Sequence, residues 1–300
     1  MTLSSFKSLI KELFPTMKIL LLGHRGQVGN ALKKALPLNF HAIYPNIDIT
    51  DPISLQNEIT ASKPDVIINA AAYTHVDNAE INKDKAFEVN ALAPMRIAEL
   101  AKKINALFIH YSTDYVFDGS GHIPWTENDI PSPINAYGST KYEGDQQIMF
   151  SGCRFLILRT SWIYGNSGNN FIKSILSQSQ EKNDLSVICD QIGAPTSASF
   201  LADASYQMMQ SAITNKNLLG VYHIVTKGEI SWSDYARFII EKSGLSSSVK
   251  ITPVLSKDYP QAAKRPLNNR LDTTKLQKNF SIIPPDWKQG INEFLHKKDI

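Results

Sequence analysis

The segment ILLLGHRGQVG, residues 19–29, is the strongest indication of the fold in this chain. Its first four residues form a continuous apolar run, which is typical of a central parallel strand buried on both faces. In the turn that follows, Gly23 permits a tight bend, Gly26 lets the backbone approach a pyrophosphate, and Gly29 lets the next helix pack closely on the strand. The amides at the start of that helix favour bound phosphates. The segment therefore predicts a dinucleotide site, with a glycine turn that binds no ligand as the alternative.

Strand-like and helix-like segments alternate outward from this turn, which predicts an α/β, Rossmann-like doubly wound parallel sheet. Further strands are expected at 41–44, 65–69, 107–110 and 155–158, and a long helix at 84–103. After residue 165 the alternation weakens, so a smaller mixed α/β lobe is expected, interleaved with the end of the sheet. Its helices are predicted at 169–180, 199–213 and 231–242, and its strands at 187–189, 221–224 and 250–253. The expected domains are an N-terminal extension (1–16), an NAD(P)-binding Rossmann domain (17–165) and a mainly substrate-binding lobe (166–300).

Composition and charge exclude several classes of protein. The 300 residues are 43% hydrophobic and 20% charged, and their net charge of +3 gives no support to a nucleic-acid partner. Cys153 and Cys189 lie far apart, which argues against a disulfide framework and suits a reducing cytoplasm. No apolar run approaches the roughly 18 residues of a membrane span. The seven histidines show no H-x-x-x-H spacing, so no metal site is predicted.

Residues 1–16 carry apolar side chains at helical spacing up to Pro15, which predicts a short amphipathic helix. Lys7, Lys11 and Glu12 interrupt any apolar stretch of a secretory signal. A packing extension, or a start codon assigned upstream of Met17, is therefore preferred to membrane attachment.

A reduction site is predicted around Tyr137 and Lys141, which share a helix face because they are four residues apart. No other of the eleven tyrosines has a lysine at that offset. A nearby ammonium favours the phenolate, so the pKa of the phenol is expected to fall, as a general acid in carbonyl reduction requires. The preceding strand delivers Ser112 and Thr113 to its carboxyl end, where ligands of parallel sheets bind. The alternative is a solvated helix face.

The second predicted strand carries no acid at its tip, where dinucleotide folds place a carboxylate for the adenosine ribose. Tyr44, Pro45 and Asn46 stand there, and Asp48 comes only later. Arg25 in the glycine turn is placed to pair with a 2'-phosphate. NADPH is therefore the expected cofactor and NADH the alternative, while a solvent-exposed Arg25 without a ligand is the competing interpretation.

A loop near the end of the chain gathers three cations, Lys264, Arg265 and Arg270. Because arginine binds phosphate oxygens in bidentate fashion, the loop is interpreted as a clamp for an anionic substrate such as a nucleotide diphosphate, with Arg265 in the substrate site. A solvated basic patch is the alternative.

Six separated motifs extend these predictions from Met17 to about Trp287. They are GQVG at 26–29, PDVIINAAA at 64–72, YSTDYVF at 111–117, RTSW at 159–162, DQIGAPT at 190–196, and RP at 265–266 followed by Asn268. Together they resemble the extended short-chain dehydrogenase/reductases, and within these the reductases of 4-keto nucleotide sugars. The resemblance implies that Thr113, Tyr137 and Lys141 are catalytic and that Thr113, Asp114 and Trp162 contact the sugar. It implies cofactor contacts from Tyr137, Lys141 and a set of loop residues: Gly26, Gln27, Val28, Asp48, Ile49, Ala72, Tyr73, Thr74 and Tyr111.

The chemistry that the resemblance implies is hydride transfer from NADPH to the C4 ketone of dTDP-4-dehydro-L-rhamnose, giving dTDP-L-rhamnose. Tyr137 would protonate the alkoxide, Lys141 would stabilise the phenolate and bond the nicotinamide ribose, and Thr113 would orient the ketone oxygen. Relatives with magnesium at a subunit interface hold it through carboxylates, but Ala31 and Ser199 stand at those positions, so magnesium is not predicted. The resemblance allows a cytoplasmic homodimer with a dTDP-sugar substrate and no nucleic-acid or membrane partner.

Alternatives stay open at this point. One is a reductase, epimerase or dehydratase of another nucleotide sugar, although dehydratases carry Asp-Glu after the threonine and this chain has Asp114 followed by Tyr115. Another is the non-catalytic, NADP-binding regulatory subunit of methionine adenosyltransferase, which has a similar fold, because a fold alone does not establish a function.

Overall fold

A computed structural model describes residues 17–37 and 40–296, so the prediction for residues 1–16 lies outside the described part. Its strands are β1 Lys18–Leu22, β2 His41–Ile43, β3 Val66–Asn69, β4 Leu107–Thr113, β5 Arg154–Thr160, β6 Ile163–Tyr164, β7 Asp184–Ile188, β8 Ile192–Gly193, β9 Thr196–Ser197, β10 Gly220–His223, β11 Ile230–Ser231 and β12 Lys250–Val254. Its α-helices are α1 Gln27–Ala35, α2 Pro52–Ser62, α3 Val76–Ile81, α4 Lys83–Phe87, α5 Ala93–Lys103, α6 Ala136–Ser151, α7 Phe171–Glu181, α8 Ala198–Thr214, α9 Trp232–Lys242, α10 Thr274–Phe280 and α11 Trp287–His296.

Six parallel strands form the central sheet in the order β10-β5-β4-β3-β1-β2. Every residue of β3 and β4 is buried, because both strands are covered by helices on both faces. The next two strands along the chain, β2 and β3, lie on opposite sides of β1. The carboxyl ends of β1 and β3 therefore border a crevice of the kind in which open parallel sheets bind ligands. The predicted Rossmann-like parallel sheet is confirmed.

Alternating side chains of the strands feed two hydrophobic cores. Ile19 and Leu21 of β1 pack on one face with α1, α8 and α10, whereas Leu20 and Leu22 pack on the other face with α2, α5 and α6. This division follows from the two-residue period of a strand. The sheet is therefore doubly wound.

The predicted smaller mixed lobe is also confirmed. Its strands join in pairs, β7 with β12, β6 with β9 and β8 with β11, and a third hydrophobic core packs α7, α9 and α11 against them. From the same half of the chain, β10 returns to the central sheet beside β5. The division into domains at residues 16 and 165 stays a prediction.

The helix predicted at 84–103 is interrupted by a π-helical turn, Glu88–Leu92, between α4 and α5. Pro94 has no amide hydrogen to donate to the Asn90 carbonyl, so the regular helical pattern cannot continue there. A Cβ at Gly144 of α6 would lie only 2.1 Å from that carbonyl oxygen. The Asn90 carbonyl group is thus covered by close contact with Gly144 of α6.

Four helices were not predicted: α2, α3, α10 and α11. For α2 the sequence held a usable signal, since Pro52 is its first residue and the Asp51 carboxylate accepts hydrogen bonds from the amides of Ile53 and Ser54. Only Leu55 and Ile59 of this helix are buried, so its hydrophobic pattern is weak.

Candidate active site

The glycine turn after β1 forms a cradle of the predicted kind. Gly23 has φ of +74°, and a Cβ there would lie 2.4 Å from the Ala71 amide nitrogen. A Cβ at Gly29 would lie 2.2 Å from the Gly23 carbonyl oxygen, whereas one at Gly26 would meet only that oxygen, at 3.5 Å. Packing thus requires glycine at positions 23 and 29, whereas the space beside the Cα of Gly26 is open. This arrangement fits a pyrophosphate that approaches the backbone at Gly26.

Helix α1 starts directly at this cradle. Gly26 is its N-cap, and no side chain of the described residues caps it, so the first-turn amides are available to an anion. The Gln27 side chain is turned away, because its amide donates to the Asn169 carbonyl and accepts from the Asn170 side chain, each at 3.2 Å. Val28 is buried in the core. These two predicted cofactor residues therefore offer backbone groups rather than side chains.

Asn90, 1% exposed, holds the opposite wall of the crevice. Its side-chain oxygen accepts from the Tyr73 amide at 2.9 Å, and its nitrogen donates to the Tyr73 carbonyl at 3.1 Å and to the Thr140 hydroxyl at 3.2 Å. It therefore fixes the segment Ala72–Thr74 to α6. Its partner Tyr73 lies 17 residues away in the chain, and no pattern in the sequence indicated this contact.

Two cations, Arg25 and Lys33, lie with the His24 ring near the tip of β2. Lys33 Nζ is 5.2 Å from the centre of the Tyr44 ring, and the His24 ring is 5.9 Å from it. The pKa of His24 is lowered by burial and by the charges of Lys33 and Arg25. Arg25 is exposed, which fits both the predicted phosphate contact and a solvent-exposed arginine without a ligand. Asp48 accepts hydrogen bonds from the Thr50 amide and hydroxyl, and these bonds lower its pKa.

Helix α6 brings Tyr137 to the carboxyl end of β4. The helix is capped by Asn135, whose side chain accepts from the Gly138 amide at 2.7 Å. The Thr113 hydroxyl lies close enough to the Tyr137 phenol to favour the phenolate, and the Tyr115 ring packs edge-on against the Tyr137 ring at 5.7 Å. Two of the predicted catalytic residues, Thr113 and Tyr137, therefore meet at the sheet edge.

The expected lowering of the pKa of Tyr137 by Lys141 is wrong for this structure. Lys141 Nζ donates to the Tyr111 carbonyl at 2.6 Å and lies 3.0 Å from His110 Nε2, and its hydrogen bonds within the described chain do not include the phenol. Burial instead raises the pKa of Tyr137 to about 12, against the opposing effect of the Thr113 hydroxyl. Sequence spacing predicted a shared helix face correctly, but two nearer groups on β4, the Tyr111 carbonyl and the His110 ring, contact the lysine.

A buried ionic network lies behind the lysine. Lys141 is 1% exposed, and burial lowers its pKa to about 8, against the opposing charge of Asp145. The Asp145 carboxylate accepts from the Ser112 hydroxyl at 2.8 Å and pairs with Arg159 Nε at 3.2 Å. Burial raises the pKa of Asp145. Asp145 follows Lys141 by four residues, as Lys141 follows Tyr137, so this helical spacing was a signal that the sequence analysis missed.

Asp114 is the second carboxyl group of the site. It is 3% exposed, its Oδ1 accepts from the Thr113 hydroxyl at 3.0 Å, and its Oδ2 has no partner among the described residues. Burial raises the pKa of Asp114 to about 7. An unpartnered buried oxygen next to Thr113 provides a group for a polar ligand to bond.

Trp162 lies at the same edge, because Thr160 is the register partner of Thr113 and Trp162 follows two residues later. Its φ of +47° is rare for a bulky residue, and its ring stacks on Trp232 at 3.6 Å. Its indole nitrogen is buried and has no partner within the described ranges. Trp162 thus presents a second unpaired polar atom near the edge.

Three side chains differ from their predicted settings. Arg265 is paired with Asp77 at 2.6 Å and lies within reach of the Tyr115 phenol, so its charge is already matched by a carboxylate. The Tyr111 hydroxyl bonds Ser205 at 2.6 Å inside the core, and only the Tyr111 carbonyl faces Lys141. Arg270 of the same basic loop also pairs, with Glu229 at 2.5 Å. The loop is therefore not a cluster of three unpaired cations.

The described residues contain no group of three or more histidine, cysteine, aspartate or glutamate side chains placed to hold a metal. Ala31 and Ser199 line one surface cavity of about 270 Å³ beside Gln27. Among the described helices, none is both long and apolar enough to cross a bilayer.

Comparisons with known proteins agree with this geometry. The profile of the RmlD substrate binding domain matches residues 17–300. A dTDP-4-dehydrorhamnose reductase of Escherichia coli K12 is 40% identical over 292 residues, which cover 94% of this chain and 98% of that protein. A crystal structure of a dTDP-4-dehydrorhamnose reductase from Clostridium acetobutylicum superposes with a TM-score of 0.87 at 36% identity, covering 93% and 98% of the two chains. A crystal structure of the dTDP-4-dehydrorhamnose reductase from Bacillus anthracis in complex with NADP superposes with a TM-score of 0.86 at 32% identity, covering 93% of this chain and 98% of that chain. The chain therefore belongs to the dTDP-4-dehydrorhamnose reductase family.

Proposed function

We propose that the protein reduces the C4 ketone of dTDP-4-dehydro-L-rhamnose with NADPH to give dTDP-L-rhamnose, the last step of dTDP-rhamnose biosynthesis. The observation that carries the proposal is the meeting of the Tyr137 phenol and the Thr113 hydroxyl at the carboxyl edge of the sheet, next to buried Lys141. Family membership supports the same reaction.

The cofactor, when bound, supplies the hydride. Tyr137 holds the proton: because burial raises the pKa of its phenol to about 12, the phenol stays protonated at neutral pH and can donate when charge develops on the ketone oxygen. The hydroxyl of Thr113 orients that oxygen. Lys141 in its ammonium form balances the phenolate that remains.

Two cations near the tip of β2 support NADPH over NADH. Lys33 lies over the Tyr44 ring, and the charges of Lys33 and Arg25 act on His24, in the place where a carboxylate would repel a 2'-phosphate. Charge-assisted bonds to phosphate are among the stronger hydrogen bonds of proteins. The glycine cradle and the first-turn amides of α1 are proposed to hold the pyrophosphate.

Asp114 and Trp162 are proposed to bind the sugar. Each has a buried polar atom without a partner among the described residues, Asp114 Oδ2 and Trp162 Nε1, and such atoms ordinarily bond a ligand or water. Arg265 is proposed to bind the diphosphate of the nucleotide, in exchange for Asp77 or together with it.

The test measures NADPH oxidation with dTDP-4-dehydro-L-rhamnose. We expect Tyr137→Phe to keep its affinity for NADPH and to lose about 10²-fold or more in kcat, because the general acid is gone. Tyr142→Phe, on the same helix but outside the site, is the matched control. A Tyr137→Phe enzyme that works at a rate close to that of the control would remove the proposed acid.

The same assay separates the alternatives. Faster turnover with GDP- or UDP-linked keto sugars would identify another nucleotide-sugar reductase. Absence of turnover, together with binding to a methionine adenosyltransferase, would select the regulatory subunit. A homodimer and a cytoplasmic location are further proposals, which light scattering and cell fractionation test.

A further inference from the structure

Two buried polar side chains connect β3 to the catalytic lysine. Asn69 and His110 are register partners on β3 and β4, and both are 0% exposed. The Asn69 amide nitrogen lies 3.3 Å from His110 Nδ1, and His110 Nε2 lies 3.0 Å from Lys141 Nζ. Neither residue takes part in the proposed reaction.

The backbone fixes the direction of this chain of hydrogen bonds. The Ala71 amide, which can only donate, lies 3.1 Å from the side-chain oxygen of Asn69, so the Asn69 nitrogen must be the atom that faces His110. That nitrogen only donates, and His110 Nδ1 must therefore accept. In a neutral imidazole the proton then resides on Nε2, which points at Lys141.

An N–H aimed at Lys141 needs an acceptor, and only the neutral amine has a lone pair. The amine form satisfies every contact, because it accepts from His110 and donates to the Tyr111 carbonyl. An ammonium would instead require His110 to move its proton to Nδ1, opposite the Asn69 N–H groups. Two donors would then face each other without water to separate them.

We propose that His110 is a positioning residue for Lys141: oriented by Asn69, it presents an N–H to the lysine, favours the neutral amine and thereby sets the pH below which the ammonium forms. The inference rests on the proposed function only in that Lys141 is assigned a role there. His110 and Lys141 would bind their proton as one coupled unit.

The surroundings of the pair are consistent with this. From α6, Asp145 faces Lys141 and favours the ammonium, but its carboxylate is held by Arg159 of β5 and Ser112 of β4. Burial nevertheless leaves the pKa of Lys141 lowered, to about 8, and burial and the lysine charge lower that of His110. On β5 the register partner of His110 is the apolar Ile157, and on α6 Tyr137 precedes Lys141 by four residues.

The direct test is the tautomer of His110 in the protein without cofactor. Side-chain ¹H–¹⁵N NMR at pH 9 reports which ring nitrogen carries hydrogen, and the His110 signals are identified by their loss in His110→Gln. We expect hydrogen on Nε2. In Asn69→Asp one carboxylate oxygen can accept from the Ala71 amide and the other from His110, so we expect hydrogen on Nδ1. Hydrogen on Nδ1 in the unaltered protein would overturn the proposal, whatever the enzyme's activity.

The second readout is the alkaline limb of the kcat profile. In Asn69→Asp, His110 Nε2 becomes an acceptor for the ammonium, so the limb should move up by about one pH unit or more. In a His110→Gln background, Asn69→Asp should move the alkaline limb by less than about a third of that shift, since a glutamine amide can turn to present either its donor or its acceptor. An equal shift in both backgrounds would show that the new negative charge acts on Lys141 through its electric field alone, without His110. That result would overturn the proposal.

His223→Gln is the matched structural control. His223 is also 0% exposed on a strand of the central sheet, and its ring contacts the Trp125 carbonyl at 3.0 Å. Its substitution should lower the unfolding temperature and leave the alkaline limb in place. If the control moved the limb as far as Asn69→Asp does, the effect would be one of general destabilisation and the inference would fail.

Discussion

Asp114 gives the structure a testable dependence of stability on pH. Its carboxyl group is 3% exposed, and burial raises its pKa to about 7 from an ordinary value of 3.8. The folded chain therefore binds this proton more tightly than the unfolded chain does. The stabilisation is fully present below pH 4, where both states are protonated, and it is lost as the pH rises through 7. Asp114→Asn removes this titration, since an amide does not ionise.

The magnitude follows from the two pKa values. Each pKa unit corresponds to about 1.4 kcal/mol, so the raised pKa contributes about 3 kcal/mol at pH 5 and almost nothing at pH 8. The free energy of unfolding of Asp114→Asn, relative to the unaltered protein, should therefore rise by about 3 kcal/mol between pH 5 and pH 8. Other buried ionisable groups, such as Asp145 and Lys141, are present in both proteins and cancel in the difference.

The assay is urea unfolding of both proteins at several pH values, with cofactor absent. Asp258→Asn is the control, because Asp258 is exposed and its removal should leave the pH dependence as it is. If the difference between Asp114→Asn and the unaltered protein stayed constant within about 0.5 kcal/mol from pH 5 to pH 8, the reasoning about this buried carboxyl group would be refuted.

The remaining predictions concern the cofactor cradle. Gly29→Ala should cost about 2 kcal/mol or more in unfolding free energy and abolish NADPH binding, because its Cβ would lie 2.2 Å from the Gly23 oxygen. Gly26→Ala adds a Cβ with only a 3.5 Å contact, so its free energy of unfolding should stay within about 1 kcal/mol of that of the unaltered protein, whereas its affinity for NADPH should fall about tenfold. Denaturation and fluorescence titration measure the two quantities. Equal effects of the Gly29 and Gly26 substitutions would contradict the proposed role of the cradle. Arg25→Ala should weaken NADPH binding about tenfold and leave NADH binding unchanged, and equal losses for both cofactors would argue against a 2'-phosphate contact.

Local patterns predicted the framework because the interactions that form it are local. The apolar run at 19–22 and the glycines behind it specify a buried strand, a turn with positive φ and a closely packed helix, and all three are present. The shared helix face of Tyr137 and Lys141 follows from four-residue spacing alone.

The electrostatics of the site depend on contacts between distant segments, which no single-sequence pattern shows. Lys141 meets His110 and the Tyr111 carbonyl about thirty residues back in the chain, and Arg265 meets Asp77 at a separation of 188 residues. The expected activation of the phenol by the lysine was therefore wrong, although the two residues share a helix as predicted. The π-helical turn at 88–92 was likewise hidden within a continuous helical pattern.

Hydride transfer from NADPH to the sugar C4 defines the proposed reaction, and an isotope-transfer experiment measures this step. The protein is supplied with NADPH that carries deuterium at the transferable C4 position, together with dTDP-4-dehydro-L-rhamnose, and the product is examined by NMR. We predict one deuterium at C4 of the rhamnosyl ring for each NADPH consumed. Product formed without deuterium at C4, or NADPH consumed without reduced sugar, would contradict the account.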